Sequence, residues 1–291
     1  MSGIRERLTP GEIGQYRTEG FVQPVTILTA DVAALLSKAA AEHIAGLVPT
    51  ERYELTDDVK VRSVDGPDGT VSYEYVDEQT AEPQTLPFLF NIWRFDTRFR
   101  AVAMDPRIGM MAQQLLGCEE VLLMEDNVVA KAPGAGVVPW HQDLSYWPID
   151  RPAAVTLWIA LEDIGPSNGA MSVVPRSHAT VEHLPVQFRD AATFMGEHRP
   201  GVPTLTQNPV DAGRSIVTYQ MDAGEAGFHH PLVWHGSTPN LSQLVRSAYV
   251  LRYVASGTTW LGSSRVPYDD IGCAVGEPVT SRHLPSVWMT R

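Results

Sequence analysis

The stretch VLLMEDNVVAKA, residues 121–132, is typical of a β-strand because it combines β-branched and other apolar residues without glycine or proline. Similar stretches follow it, separated by Gly, Pro, Asn and Ser: AVTLWIAL (154–161), GAMSVVP (169–175), SIVTYQM (215–221) and SAYVLRYVA (247–255). Most of them are not separated by a segment of helical length. The pattern therefore predicts a mainly β core, either a sandwich or a barrel, rather than alternating strands and helices.

The residues before this region predict flanking helices. Thr9 and Pro10 fit a helix start, and Gly20 fits its end. Residues 29–46 are rich in alanine and leucine and end at a glycine, and residues 91–117 predict two short helices broken at Asp105-Pro106. Residues 55–86 are polar and predict a loop with room for one hairpin.

We therefore predict one domain with several parts. They are a mainly helical N-terminal part (1–118), a β core (119–256), a lid inserted into that core (179–214) and a C-terminal tail (257–291). The lid prediction rests on the length of the connection, its prolines and its apolar residues Phe188 and Phe194. A connection this long inside a compact β domain is usually functional or disordered.

Composition limits the classes of partner. The chain has 291 residues, 44% of them hydrophobic, and a formal net charge of -12. Because no Lys/Arg-rich run is present, we expect no nucleic-acid or anionic-membrane surface. The first residues lack the apolar run of a secretory signal, and Cys118 and Cys273 match no zinc spacing. These features predict a cytoplasmic protein with reduced thiols, and they leave homo-oligomerisation open.

WHQDLSYWP, residues 140–148, places His141 and Asp143 two residues apart. In a strand both side chains point to the same face, so they can converge on a metal ion. A His-x-Asp triplet is common by chance, and a histidine bonded to a carboxylate in a turn explains it equally well. The triplet alone therefore does not decide between the two.

A metal site needs a third ligand, and two histidines with one carboxylate are the set that binds Fe(II) in non-haem oxygenases. The candidates are His229, His230 and His235; the first two are adjacent, so in a strand at most one of them faces inward. Arg246 follows on the next predicted strand. Its guanidinium can grip a carboxylate with two parallel hydrogen bonds, as 2-oxoglutarate would require.

Taken together, these residues resemble the phytanoyl-CoA dioxygenase family of Fe(II)/2-oxoglutarate oxygenases. The resemblance extends to LTPGEIGQYRTEGFV (8–22), NIWRFDTRFRAVAMDPRI (91–108), LWIALEDIGPSNGAMSVVPRSH (157–178) and HGSTPNLSQLVRSAYVLRYV (235–254). The sequence departs from the family pattern at Arg176, where the family usually has glycine. This difference affects the expected conformation of the local turn and not the expected metal site. The resemblance implies a double-stranded β-helix, the jelly-roll or cupin-like core.

The resemblance also implies roles for individual residues. The metal ligands and catalytic residues would be His141, Asp143 and His235. The residues binding 2-oxoglutarate would be Arg246, Ser237, Asn127, Trp158 and Gln142, and those near substrate would be Tyr146 and Trp147. Core packing is the alternative for Trp158, Tyr146 and Trp147. Lys131 shares a strand face with Asn127, and exposure to solvent is an equal alternative for it.

The implied cofactors are Fe(II), 2-oxoglutarate and O2. The implied reaction is hydroxylation of an unactivated C–H bond in a small metabolite or natural-product intermediate, with succinate and CO2 as co-products. Desaturation, epimerisation and ring formation use the same cofactors. Asp143 argues against halogenation, because related halogenases replace this carboxylate with a small residue. A cupin-like metal hydrolase or isomerase and a non-catalytic β-sandwich binding module are the alternatives from other classes.

Overall fold

Two antiparallel β-sheets form the centre of the computed structural model, which describes residues 5–46, 48–54, 59–65, 71–77, 88–180, 209–210, 212–263, 268 and 270–290. The larger sheet runs in the order β1 (Phe21–Thr26), β11 (Glu225–His229), β8 (Ala154–Ala160), β13 (Arg246–Ala255), β6 (Glu120–Lys131), β5 (Phe88–Phe90), β4 (Val71–Asp77), β3 (Val59–Asp65) and β2 (Val48–Glu54), and β14 (Ser286–Met289) also pairs with β6.

The smaller sheet runs in the order β10 (Val217–Thr218), β9 (Met171–Val173), β12 (His235–Ser237) and β7 (Val138–His141). Side chains at its β7 end touch the larger sheet, since Thr156 on β8 hydrogen-bonds Asp143 just after β7. We call the face of the larger sheet that carries Thr156 the inner face. This curled pair of antiparallel sheets confirms the predicted jelly-roll core.

Alternation along β13 separates the two faces of the larger sheet. Tyr249, Leu251 and Tyr253 belong to the apolar cluster that includes the helices, whereas Ala248 and Val250 belong to a second cluster. Residues of one strand alternate between faces, so the even-numbered residues of β13 share the inner face with Thr156. Thr156 on β8 and Arg252 on β13 lie directly opposite each other in the register of these two strands.

The helices are α1 (Pro10–Glu19), α2 (Ala30–Ala45), α3 (Thr97–Ala103) and α4 (Pro106–Leu116). They agree with the predicted ones except that α3 begins at Thr97, six residues after the predicted start, because the 3-10 turn Ile92–Arg94 precedes it. Thr9 and Glu12 form a capping box at the start of α1, and Gly20 ends it with a left-handed φ of 84°. Asp105 caps α4 through the Arg107 N–H. The Tyr249 and Tyr253 hydroxyls contact the α3 backbone, which fixes this helix on the outer face.

Residues 1–118 contain five strands, β1–β5, besides the four helices. The prediction of a mainly helical part is wrong in leaving these strands out. β1 pairs with β11 at the edge of the larger sheet, and β2, β3 and β4 form an antiparallel run that joins it through β5. The strand signal was the period-two alternation in VKVRSVD and VSYEYVD. The antiparallel pair of β3 and β4 corresponds to the one hairpin expected within residues 55–86, whose high polar content otherwise predicts a loop.

The lid prediction for 179–214 remains a prediction, since residues 181–208 and 211 lie outside the described residues. Among the parts of the chain that the structure describes, no helix has both the length and the apolar character to cross a bilayer.

Candidate metal centre and co-substrate site

Three potential metal ligands converge between the two sheets. In the pairing of β12 with β7, His235 lies directly opposite His141, and their ring centroids are 4.1 Å apart. Asp143 begins the 3-10 turn that follows β7. One ligand atom from each of the three lies within 4.8 Å of the others. The register of β12 against β7 therefore brings together His141 and His235, which are almost a hundred positions apart in the chain.

The ligand atoms approach one another without forming hydrogen bonds. Asp143 Oδ1 is 3.9 Å from His141 Nε2 and 3.6 Å from His235 Nε2, both too long for a hydrogen bond. His235 Nδ1 lies 2.9 Å from the Val233 carbonyl oxygen, so it donates its proton there. This tautomer leaves a lone pair on Nε2, facing the carboxylate and the other imidazole.

Burial and neighbouring charges together set the protonation states that a divalent metal needs. Burial raises the pKa of Asp143, but His235 and Arg252 outweigh it and hold that pKa well below its usual range. Burial lowers the pKa of His235 to about 4. At neutral pH the set therefore contains an ionised carboxylate and an unprotonated imidazole, the forms in which these groups bind metals. The donor set fits Fe(II).

Arg246 places a buried guanidinium on the inner face. It is 2% exposed, and its Nη2 donates to the Gly169 carbonyl at 2.7 Å. Its Nε and Nη1 have no hydrogen-bond partner among the described residues. Burial lowers the pKa of Arg246 to about 10, while Glu162 acts in the opposite direction, so it remains a cation at neutral pH. Two unpaired donors on a buried guanidinium fit a carboxylate.

Of the other predicted co-substrate residues, Trp158 lies beside this arginine, and Asn127 lies further along the same face of the sheet. Val250 is paired with both Asn127 and Trp158, so these residues form one row on the inner face, four residues along β13 from Arg246. The Arg246 guanidinium lies 5.4 Å from the centre of the Trp158 ring. Asn127 Oδ1 and Ser237 Oγ are buried polar atoms for which the described residues supply no hydrogen-bond partner. The Arg246 guanidinium and the Ser237 hydroxyl can donate to a carboxylate, whereas Asn127 Oδ1 can only accept a hydrogen bond.

The remaining predicted residues separate into two groups. The Tyr146 ring lies 5.5 Å from the His141 ring in an edge-on arrangement, next to the ligand set. The Gln142 amide instead donates to the Leu232 carbonyl at 2.8 Å, which braces the segment leading to His235. Trp147 is 2% exposed and belongs to an apolar cluster. Its burial favours the packing alternative over substrate contact.

Lys131 and His230 also have defined places. Lys131 is fully buried, and its Nζ donates to the Gly136 and Thr238 carbonyls at 2.6 Å each, so the solvent-exposed alternative is wrong. Burial, with a further contribution from Arg246, lowers its pKa to about 7. His230 stands outside the ligand set: its ring lies 5.3 Å from that of His178.

Sequence reasoning missed three residues that contact Asp143. Thr156 Oγ1 donates to Asp143 Oδ2 at 2.6 Å, His229 Nε2 is 3.0 Å from the same oxygen, and Arg252 Nη2 is 3.7 Å from Oδ1. His229 was considered only as a ligand. A usable signal is present, since Thr156 interrupts the otherwise apolar β8, and Arg252 interrupts the mainly apolar second part of β13, residues 248–255. Polar residues in buried strands usually have a specific partner.

A second group of potential ligands, Cys273, Glu277 and His283, lies in the C-terminal tail. Burial raises the pKa of the Cys273 thiol, with a further contribution from Glu277, which opposes the thiolate form that metals require. His283 Nδ1 also accepts a hydrogen bond from the Thr280 N–H at 3.2 Å. This group therefore fits a metal less well than the first.

The family model and the similar curated proteins agree on one protein family. The family model for phytanoyl-CoA dioxygenase (PhyH) matches residues 16–248. The bovine protein "Phytanoyl-CoA dioxygenase, peroxisomal" is 28% identical over 185 residues, which are 59% of this chain and 52% of that protein. "Ectoine dioxygenase" of Nocardia farcinica is 31% identical over 170 residues, which are 55% of this chain and 56% of that protein. The chain thus spans about half the length of the curated relatives it matches.

Solved structures share the fold at lower identity. The carbocyclase SnoK from nogalamycin biosynthesis has a TM-score of 0.70 at 21% identity, covering 98% of this chain and 99% of that one. The epimerase SnoN from the same biosynthesis, solved with Fe3+, alpha ketoglutarate and nogalamycin RO, has a TM-score of 0.69 at 19% identity, covering 95% and 97% of the two chains. These are enzymes described as non-heme and alpha ketoglutarate dependent.

Proposed function

Because the chain belongs to the phytanoyl-CoA dioxygenase family, we propose that it is an Fe(II)- and 2-oxoglutarate-dependent oxygenase that acts on a small molecule. One observation carries the proposal. A His-Asp-His set with two buried members and a buried arginine, two of whose donors have no partner among the described residues, lie inside the same jelly roll. Bound iron would supply the oxidising chemistry by activating O2 with electrons from 2-oxoglutarate.

The protein's own residues bind and orient the reactants. His141, Asp143 and His235 would occupy one side of the metal and leave the other side for co-substrate and oxygen. Arg246 would bind the distal carboxylate of 2-oxoglutarate through the guanidinium donors that the Gly169 carbonyl leaves free, with Ser237 as a further donor. Trp158 packs against the guanidinium and limits its movement. The burial of these groups strengthens each electrostatic contact by excluding water.

Hydroxylation of an unactivated C–H bond is the reaction we propose, with succinate and CO2 as co-products. Asp143 supports oxygenation over halogenation because it retains the carboxylate. Desaturation, epimerisation and ring formation would use the same groups. A net charge of -12 supports a small metabolite or natural-product intermediate over a coenzyme A thioester, whose phosphates would call for a basic surface.

Arg246 distinguishes the proposal from its main rivals. A cupin-like hydrolase or isomerase would keep the three potential ligands but would not need a buried arginine with unpaired donors. A non-catalytic binding module would need neither. Burying an arginine without a paired carboxylate is costly, so the cost implies an anionic ligand.

The test is an assay of the protein purified without oxygen and supplied with Fe(II). We expect iron and 2-oxoglutarate to bind together, and we expect O2-dependent release of succinate that increases when the substrate is present in a metabolite screen. Products are identified by mass, since a gain of one oxygen indicates hydroxylation and a loss of two hydrogens indicates desaturation or ring formation. Absence of both iron binding and succinate release would contradict the proposal.

A further inference from the structure

A row of four polar side chains crosses the larger sheet beneath Asp143. His229 on β11 is paired with Thr156 on β8, Thr156 with Arg252 on β13, and Arg252 with Glu125 on β6. Register partners in an antiparallel sheet lie on the same face, so all four point to the inner face. We call these residues the support row.

The support row treats the two oxygens of Asp143 differently. Oδ2 accepts a hydrogen bond from the Thr156 hydroxyl at 2.6 Å and lies 3.0 Å from His229 Nε2. Oδ1 has only a longer approach from Arg252 Nη2 at 3.7 Å, and it is the oxygen nearest the two other ligands. Thr156 is 1% exposed and His229 is 1% exposed, so water does not compete for these bonds.

Building on the proposed function, we propose that the support row presets Asp143 as a one-oxygen ligand before the metal arrives. Thr156 and His229 occupy Oδ2, which leaves Oδ1 for the metal. Thr156, His229 and Arg252 are thus positioning residues rather than catalytic residues. Rotating the carboxylate would break two buried hydrogen bonds at once, so the oriented form is favoured.

Glu125 completes the row by pairing with Arg252. Arg252 Nη1 lies 2.8 Å from Glu125 Oε1, and the Glu125 side chain is buried. A buried arginine without this partner would place an unpaired positive charge beside a divalent cation. Glu125 therefore allows Arg252 to approach Asp143 without repelling the metal as strongly.

The first test measures metal affinity without turnover. Co(II) serves as the probe because its visible absorption reports the geometry of its ligands, and it is titrated into the metal-free protein without 2-oxoglutarate. We expect Thr156→Val to weaken Co(II) binding by roughly ten to a hundred-fold, the range for loss of a group that orients a metal ligand. The matched control is Thr258→Val, because Thr258 is equally buried and its hydroxyl donates to the Ala255 carbonyl away from the site. It should bind Co(II) like the wild type.

His229 supplies a second variant pair. His229→Gln retains an N–H donor for Oδ2, and His229→Leu does not. We expect the glutamine variant to bind Co(II) more tightly than the leucine variant and to keep a spectrum closer to that of the wild type. Wild-type affinity and spectrum in both Thr156→Val and His229→Leu would overturn the inference.

The last test measures the rescue of metal binding rather than its loss. Asp143→Ala retains the donors of the support row, so formate should restore Co(II) binding to it by replacing the carboxylate. Formate should restore less Co(II) binding in the double variant Asp143→Ala/Thr156→Val, which lacks the Thr156 hydroxyl donor. No rescue of Asp143→Ala would overturn the inference while leaving the oxygenase proposal intact, because the proposal requires only that the wild type bind iron and turn over 2-oxoglutarate.

Discussion

Arg246→Lys should weaken the binding of 2-oxoglutarate while leaving the metal site intact. The arginine has three relevant donors: Nη2 is used by the Gly169 carbonyl at 2.7 Å, and Nε and Nη1 have no partner in the described part of the chain. Lysine has a single nitrogen at the end of a flexible chain. It can keep the positive charge but cannot serve both the carbonyl and two carboxylate oxygens in the same geometry.

The size of the effect follows from the bond that is lost. A hydrogen bond to a charged group contributes about 1.5–3 kcal/mol. Each ~1.4 kcal/mol corresponds to a tenfold change in affinity, so the loss corresponds to about one to two orders of magnitude. Loss of contact with the Trp158 ring, 5.4 Å from the guanidinium, acts in the same direction. We therefore expect the KM for 2-oxoglutarate to rise by about ten- to a hundred-fold.

The assay measures succinate release against 2-oxoglutarate concentration, with Co(II) affinity measured separately. Arg282→Lys is the matched control because Arg282 is exposed in the C-terminal tail. Co(II) affinity should be unchanged in both variants. An unchanged KM in Arg246→Lys would refute the assignment and point to Lys131, the buried cation opposite Arg246 on β6, as the anchor.

Three further predictions concern the ligands and the fold. Three variants should lose iron binding, measured after anaerobic dialysis, and retain their circular dichroism spectrum: His141→Ala, Asp143→Ala and His235→Ala. The control variant His230→Ala should keep most of its iron. Burial raises the pKa of the Asp126 carboxyl to about 8 in the folded protein, compared with about 4 in the unfolded chain. The protonated carboxyl therefore contributes its full stabilisation below about pH 4, and this contribution is lost as the pH rises towards 8. Asp126→Asn should therefore gain stability relative to the wild type between pH 4 and pH 8 in urea unfolding, and parallel pH profiles would contradict this. Gly227→Ala would place a Cβ 2.7 Å from the Tyr219 ring, and we expect a loss of about 1–3 kcal/mol in unfolding free energy that Tyr219→Leu reduces.

The sequence determined the local structure and the chemical type of the site. Apolar and β-branched stretches predicted β6, β8 and β13. The Thr9-Pro10 cap and the break at Asp105-Pro106 predicted the starts of α1 and α4. These signals depend on residues close together in the chain. The spacing of His141 and Asp143 placed two potential ligands together for the same reason. The residues alone left three histidines open as the third ligand.

Tertiary structure decided which histidine lies opposite His141 and what the others do. His235 faces His141 because β12 pairs with β7, while His229 reaches Asp143 from the larger sheet. Only the packing of that sheet against β7 places Thr156 and Arg252 beneath the same carboxylate. Local periodicity tells which face a side chain occupies, but it does not encode the register between strands that are far apart in sequence. That register depends on how the two sheets bury their inner faces together.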